Sequence, residues 1–325
     1  MIPWFGSSCF CARPIPLNVL LGISLKLVSA LAFAAMSVVI KVLSADFPTG
    51  QMVFCRSAFA LLPLLAWLAS RSELVDAFRT RNLGGHIRRS AMGVMAMSSG
   101  FASLALIPLA DATAIGYASP LIATALAALM LGETVRVYRW TALLVGFCGM
   151  IVMMWPYLTA ADSGLPRPGS AAAGALLALA GAAFGAFATI EVRRLSQSEK
   201  TGAIVFYFSA TCALLSLITL VFGWRMPDAR QAGLLVLSGI LGGVGQILLT
   251  ASYRYAPVSV VAPFDYTSLL WALVLGFAIF GDIPAPLVMV GAAMVVAAGL
   301  FVLWREHRLG LRARQEREAA PQRTT

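Results

Sequence analysis

Apolar residues come in long unbroken runs, not in the alternation of a half-buried strand or the one-faced stripe of a surface helix. Ten such runs predict ten membrane-spanning helices over residues 20–43, 51–69, 88–107, 109–131, 138–155, 173–195, 202–223, 231–253, 257–280 and 284–304. A helix needs about 20 residues to cross a hydrocarbon core, and each run approaches or exceeds that length. Proline marks the joints at Pro48, Pro108, Pro156, Pro257 and Pro284, and most links are short. The expected fold is therefore an all-α membrane protein without a soluble domain. The first run is too long for a signal-peptide core and has only Arg13 before it, so it is read as a retained helix.

Composition agrees with this reading. Of 325 residues, 24 are Lys or Arg and 14 are Asp or Glu, and mean hydropathy is +0.85. Placing the N-terminus in the cytoplasm puts eighteen basic residues in inside segments and leaves only Arg167, Arg225 and Arg230 outside. That imbalance orients the chain with both termini cytoplasmic. It also explains the net charge of +10 as a topology determinant, so no nucleic-acid partner is needed. The Arg-rich tail, residues 305–325, is expected to be disordered and solvated. Cys9, Cys11, Cys55, Cys148 and Cys212 show neither disulfide nor metal spacing.

The chain is internally duplicated. Thr49, Gly50, Val53, Phe54, Ser57 and Ala58 match Thr201, Gly202, Val205, Phe206, Ser209 and Ala210 without a gap. Pro108, Tyr117 and Gly132 recur as Pro257, Tyr266 and Gly281 at a constant offset of 149. Two five-helix halves follow, residues 20–155 and 173–304, joined by an external linker at 156–172 and preceded by a cytoplasmic segment at 1–19. An odd number of spans per half inverts one half relative to the other. In inverted-repeat transporters the substrate site lies near the midplane between the repeats.

Lys41, Arg56, the run PLADATAIGYASPL from Pro108 to Leu121, the LGE at Leu131 to Glu133 and RWTALLVGFCGM from Arg139 to Met150 together resemble the drug/metabolite transporter superfamily, in its ten-helix EamA-type branch. The resemblance covers residues 20–304 and implies carriage of small organic molecules. Within the family, GISLKLVSALAFAAMSVVIK and PTGQMVFCRSAFALLP are similar to the riboflavin-importer group. Carriers of S-adenosylmethionine or amino acids resemble the chain nearly as well. Leu269 stands where the first half has Pro120, so helix 9 is expected to lack a proline break.

Six residues are candidates for substrate binding: Arg56, Thr113, Tyr117, Thr124, Asp265 and Tyr266. A mid-helix Arg is costly against lipid and must face protein or water. Its repeat counterpart is Phe208, so Arg56 is an addition to a shared frame, either a substrate contact or a structural cation. Asp265 lies near the middle of helix 9 beside Ala262, Leu269, Ala272 and Gly276. It suits a proton carrier, a partner for Arg56 or a structural acceptor. Thr113, Tyr117, Pro120 and Thr124 fall on one face of helix 4, where they serve a cavity wall or ordinary packing. Tyr266 belongs with Phe54, Phe206, Tyr207, Phe208, Phe264 and Trp271 as aromatics able to stack a flat ring or to pack a core. Lys26 and Lys41 lie 15 residues apart and are expected to snorkel to opposite interfaces.

Enzyme chemistry finds no support. Only His86 and His307 occur, both in basic cytoplasmic segments, and neither a GxSxG nor a P-loop is present. No cofactor or metal is expected. Expected partners are a small-molecule substrate and membrane lipids, with a homodimer left open. The sequence thus reads as a secondary transporter in a bacterial inner membrane, most simply for vitamin-type uptake. A membrane receptor or scaffold, which would bind without flux, is the reading from another class.

Overall fold

The computed structural model describes residues 19–131, 137–159, 168–195, 198–256 and 261–319. Among these, all regular structure is helical. The helices are α1 (Val19–Leu43), α2 (Thr49–Ser70), a single turn α3 (Leu74–Ala77), α4 (Leu83–Leu104), α5 (Leu109–Gly116), α6 (Ala118–Leu131), α7 (Val137–Leu158), α8 (Pro168–Leu195), α9 (Thr201–Ser216), α10 (Ala229–Tyr255), α11 (Thr267–Phe280) and α12 (Pro286–Ala319). Six are long and apolar enough to cross a membrane: Val19–Leu43, Thr49–Ser70, Trp140–Tyr157, Ala171–Val192, Gly202–Phe222 and Ala229–Ser252. Phe264–Phe280 and Pro286–Val302 are shorter apolar helices.

Helix boundaries have local causes. Pro48 and Pro108 hold extended backbone immediately before α2 and α5, where their missing N–H leaves nothing unsatisfied. The Asn82 side chain accepts from Gly85 N at 2.9 Å to start α4, and Asp228 with Gln231 forms a capping box on α10. Gly281, at φ +68°, closes α11 in the left-handed conformation that glycine adopts without steric cost.

Three expectations are corrected. The run at 109–131 is interrupted at Tyr117, so Thr113 and Thr124 lie on different helices. In the run at 257–280, whose residues 257–260 lie outside the described ones, a 3-10 turn, Ala262–Tyr266, with Pro263 near its start precedes α11. Helix 9 is therefore broken without a proline at position 269, and Asp265 sits in the irregular turn, not mid-helix. The tail is helical as far as Ala319, because an established helix propagates readily through Arg, Glu, Gln, Leu and Ala.

Packing follows the duplication. If α1, α2, α4, α5 and α7 correspond in order to α8, α9, α10, α11 and α12, the contacts map onto themselves when the halves are exchanged. α1 packs on α10 and α8 on α4; α2 packs on α10 and α9 on α4. α2 meets α9, α5 meets α11 and α7 meets α12, each with its own counterpart. The α7–α12 crossing brings backbones together: a Cβ on Gly149 would stand 2.8 Å from the Gly291 carbonyl oxygen. Leu62, Leu144, Leu214, Val221 and Phe277 project outward and exposed, as a lipid-facing belt requires.

Candidate functional site

The two interrupted helices meet each other. Tyr117 occupies the joint between α5 and α6, Tyr266 the joint before α11, and their rings lie 4.9 Å apart, tilted by 39°. Tyr117 Oη donates to the Asp265 carbonyl at 2.7 Å and lies 2.5 Å from Ser268 Oγ, which itself donates to that carbonyl at 2.9 Å. The Asp265 carbonyl is thus met by Tyr117 from the other half and by Ser268 from its own. Tyr266 packs its hydroxyl on Gly299 of α12, where a Cβ would collide with it.

Beside this joint the Asp265 carboxylate pairs with Lys26 Nζ of α1 at 2.5 Å. At the other end of α1, Lys41 Nζ donates to Asp282 Oδ2 at 2.9 Å and to the Ile107 carbonyl at 3.1 Å. Asp111, also buried, accepts from Tyr157 and lies within electrostatic reach of Lys41 and Asp282.

A cavity of about 340 Å³ opens on the near side of the tyrosine joint. Gly116 and Ser119, flanking Tyr117, line it together with Ser37 of α1, Gly100 and Ser103 of α4, Thr113 of α5 and Gly181 of α8. The wall is chiefly apolar with a few hydroxyls, the make-up of a site for a small organic molecule.

The model of the EamA-like transporter family matches residues 20–155 and 172–304, once for each half. This chain belongs to the EamA-like transporter family. It is 28% identical over 298 residues to a riboflavin transporter of Vibrio cholerae, covering 90% of this chain and 95% of that one. It is 28% identical over 278 residues to a pseudopaline exporter of Pseudomonas aeruginosa, covering 85% and 94%. An S-adenosylmethionine uptake transporter of Rickettsia prowazekii is 25% identical over 285 residues, covering 88% and 93%. A solved crystal structure superimposes with a TM-score of 0.60 at 20% identity, covering 90% of this chain and 98% of that chain, a likeness of fold. The protein is accordingly a multi-pass membrane transporter of a small metabolite.

In this EamA-like transporter the residues named from sequence fall into three places. Tyr117, Tyr266 and Asp265 come together at the joint, and Thr113 lines the cavity, its Oγ1 donating to the Leu109 carbonyl at 2.8 Å. Arg56 is elsewhere, buried where α2 meets α9 and α10. The side chain of Thr124 and the residue Glu133 lie outside the described ones. Asp265 does not pair with Arg56, because Lys26 takes its carboxylate. Nor does Lys26 snorkel: it lies eight residues into α1 and its side chain is 2% exposed. Sequence reasoning missed Lys26, Arg89 and Asp111. A signal existed for Lys26, since an apolar helix carrying a lone lysine calls for a carboxylate on a neighbour. Arg89 was hidden among the basic residues that set topology.

Proposed function

We propose that the protein is a secondary transporter of a bacterial inner membrane that works by alternating access on ten helices. Two inverted five-helix repeats, with both termini in the cytoplasm, form the frame. The observation that carries this reading is the meeting of Tyr117 and Tyr266, equivalent residues of the two halves, each at the break of its helix. Interrupted helices at matching positions of inverted repeats mark the substrate site of such carriers. The exchange symmetry of the helix contacts and the partition of basic residues support it.

The substrate occupies the cavity beside the joint. Thr113 lines its wall, and the two tyrosines stack on its ring or move aside for it. A cationic or donor group on the substrate competes with Lys26 for Asp265, which couples binding to rearrangement of the joint. Arg56 contacts the substrate from the α2–α9 side. Uptake of a vitamin-type compound such as riboflavin is favoured by the resemblance of the first two helices and by the names of two relatives of Vibrio cholerae and Rhizobium johnstonii. Carriage of S-adenosylmethionine is supported by the Rickettsia relatives.

The test is growth rescue of riboflavin, S-adenosylmethionine and amino-acid auxotrophs, followed by counterflow of the rescuing compound in proteoliposomes. Rescue by riboflavin with counterflow is expected. Saturable binding without counterflow would leave a receptor.

A further inference from the structure

Arg56, buried, and Arg89, half-buried, are two cations that meet no carboxylate among the described residues. Arg56 is 6% exposed, its Nε is sealed from solvent, and no hydrogen-bond acceptor or carboxylate among the described residues meets its guanidinium. Arg89 lies over the ring of Phe208 at 3.4 Å, and its Nε and one terminal nitrogen are likewise buried and unpartnered. Both arginines flank the Cys212 thiol and lie within electrostatic reach of each other. A neutral thiol compensates neither charge. The face of Phe208 offsets part of the cost for Arg89 only.

Isolated charges in a low-dielectric interior are strongly unfavourable, and like charges side by side are worse. Ordinary structural use would place a carboxylate between the two guanidiniums, as Asp265 answers Lys26 and Asp282 answers Lys41 in the same bundle. Here the protein supplies none among its described residues. Guanidinium forks match the oxygens of a carboxylate or phosphate in bidentate geometry.

The place is suited to a ligand that also fills the cavity. Arg89, Gly93, Met97 and Gly100 follow one face of α4 at spacings of four, four and three. Met97 and Gly100 line the cavity, while Gly93 abuts Phe208 and Arg89. Met36, next to the cavity residue Ser37, presses on the same spot of α10 as the Arg56 Nε. Methionine side chains are adaptable, so Met36 beside Arg56 and Met97 on the cavity wall can yield to a ligand. Directly beside Arg56 the space is about 10 Å³, room for roughly one water.

We propose that Arg56 and Arg89 form an anion subsite that receives a carboxylate or phosphate group of the carried metabolite. The proposal rests on the transporter reading and adds that, among the compounds carried, those bearing such a group are preferred. The anionic end passes Met36 and Met97 as α2 and α9 part, and its arrival offsets positive charge that the two guanidiniums carry side by side in the empty protein. Riboflavin itself bears neither group, whereas its 5′-phosphate does.

The test follows thermal unfolding of the purified full chain by tryptophan fluorescence, in phosphate and in acetate against chloride at matched ionic strength. Both oxyanions should raise the midpoint saturably beyond the chloride control. Arg56→Met and Arg89→Met should each raise the midpoint without ligand, because each removes an uncompensated charge, and each should weaken the phosphate response at least tenfold. Arg89→Lys, which keeps charge but loses the fork, should retain a weakened response and serves if a Met variant does not fold. A wild type that ignores oxyanions, or Met variants that are less stable and respond as the wild type does, would overturn the subsite. Saturation by chloride alone would make it an inorganic-ion site. Loss of the phosphate response in nanodiscs containing phosphatidylglycerol, but not in phosphatidylcholine, would assign it to lipid headgroups. Either result overturns the metabolite assignment. In proteoliposomes, riboflavin 5′-phosphate should compete for uptake in an Arg89-dependent way. If it does not compete while the oxyanion response holds, the vitamin reading fails and the subsite stands. If riboflavin uptake persists in variants without any oxyanion response, the subsite fails and the transporter stands.

Discussion

Lys26 and Asp265 form a lopsided ion pair: the nitrogen is 2.5 Å from the carboxylate oxygen, yet the lysine side chain is 2% exposed and the aspartate side chain 53% exposed. The two halves of the pair are therefore not equivalent to mutation. Asp265→Asn removes the carboxylate that faces a buried ammonium and should cost about 3 kcal/mol, whereas Lys26→Met leaves a half-hydrated carboxylate and should cost about 1 kcal/mol. Unfolding midpoints of the two variants check the order. In transport, Asp265→Asn should still exchange labelled for unlabelled substrate but fail to accumulate it under an imposed pH gradient. Wild-type uptake that is indifferent to the gradient would make the protein a facilitator.

The Tyr266 hydroxyl lies where a side chain at Gly299 would need to be. Gly299→Ala should displace the tyrosine, destabilise by about 1–3 kcal/mol as overpacking does, and lower transport more than tenfold. Adding Tyr266→Phe removes the obstructing oxygen and should restore much of the stability. Stability and flux measured on the single and double variants separate this contact from a general packing defect.

His86 lies in the first turn of α4, just before the span read at 88–107. It is fully buried, stacks on Tyr207 at 4.7 Å and lies 3.9 Å from Glu199. Burial pushes its pKa below the usual 6.5, helped by Arg89 and opposed by Glu199. The folded protein thus binds its proton less readily than the unfolded chain. The resulting stability is complete above about pH 6.5 and declines as pH falls below it. The Glu199 carboxyl feels desolvation but is held below its ordinary 4.5 by hydrogen bonds from Arg81, Thr80 and Asn82, so its own effect falls at lower pH. Midpoints should drop between about pH 7 and 5 in the wild type and stay flat in His86→Phe, which keeps the stack.

The distribution of basic residues predicts the topology. Reporter fusions at Thr325 should report the cytoplasm and fusions after Ala161 the outside. The reverse result at either position would break the ten-helix scheme.

The sequence alone determined the class, the family and the duplication. Membrane spans are written as long apolar runs and duplication as matched residues at constant offset, and neither depends on which helix touches which. Tyr117 and Tyr266 were legible as repeat equivalents, but their contact was not, because it depends on where two helices break. The interruption before α11 arises around Pro263, away from the position where repeat logic sought a proline. Charge pairing was least legible. Lys26, Arg56, Lys41, Asp265 and Asp282 are all visible in the chain, yet apolar segments alone do not say which face of one meets which face of another. Tertiary packing gave Asp265 to Lys26 and Asp282 to Lys41, and it left Arg56 beside Arg89, since only the rotation of each helix in the bundle decides which buried charge finds a partner.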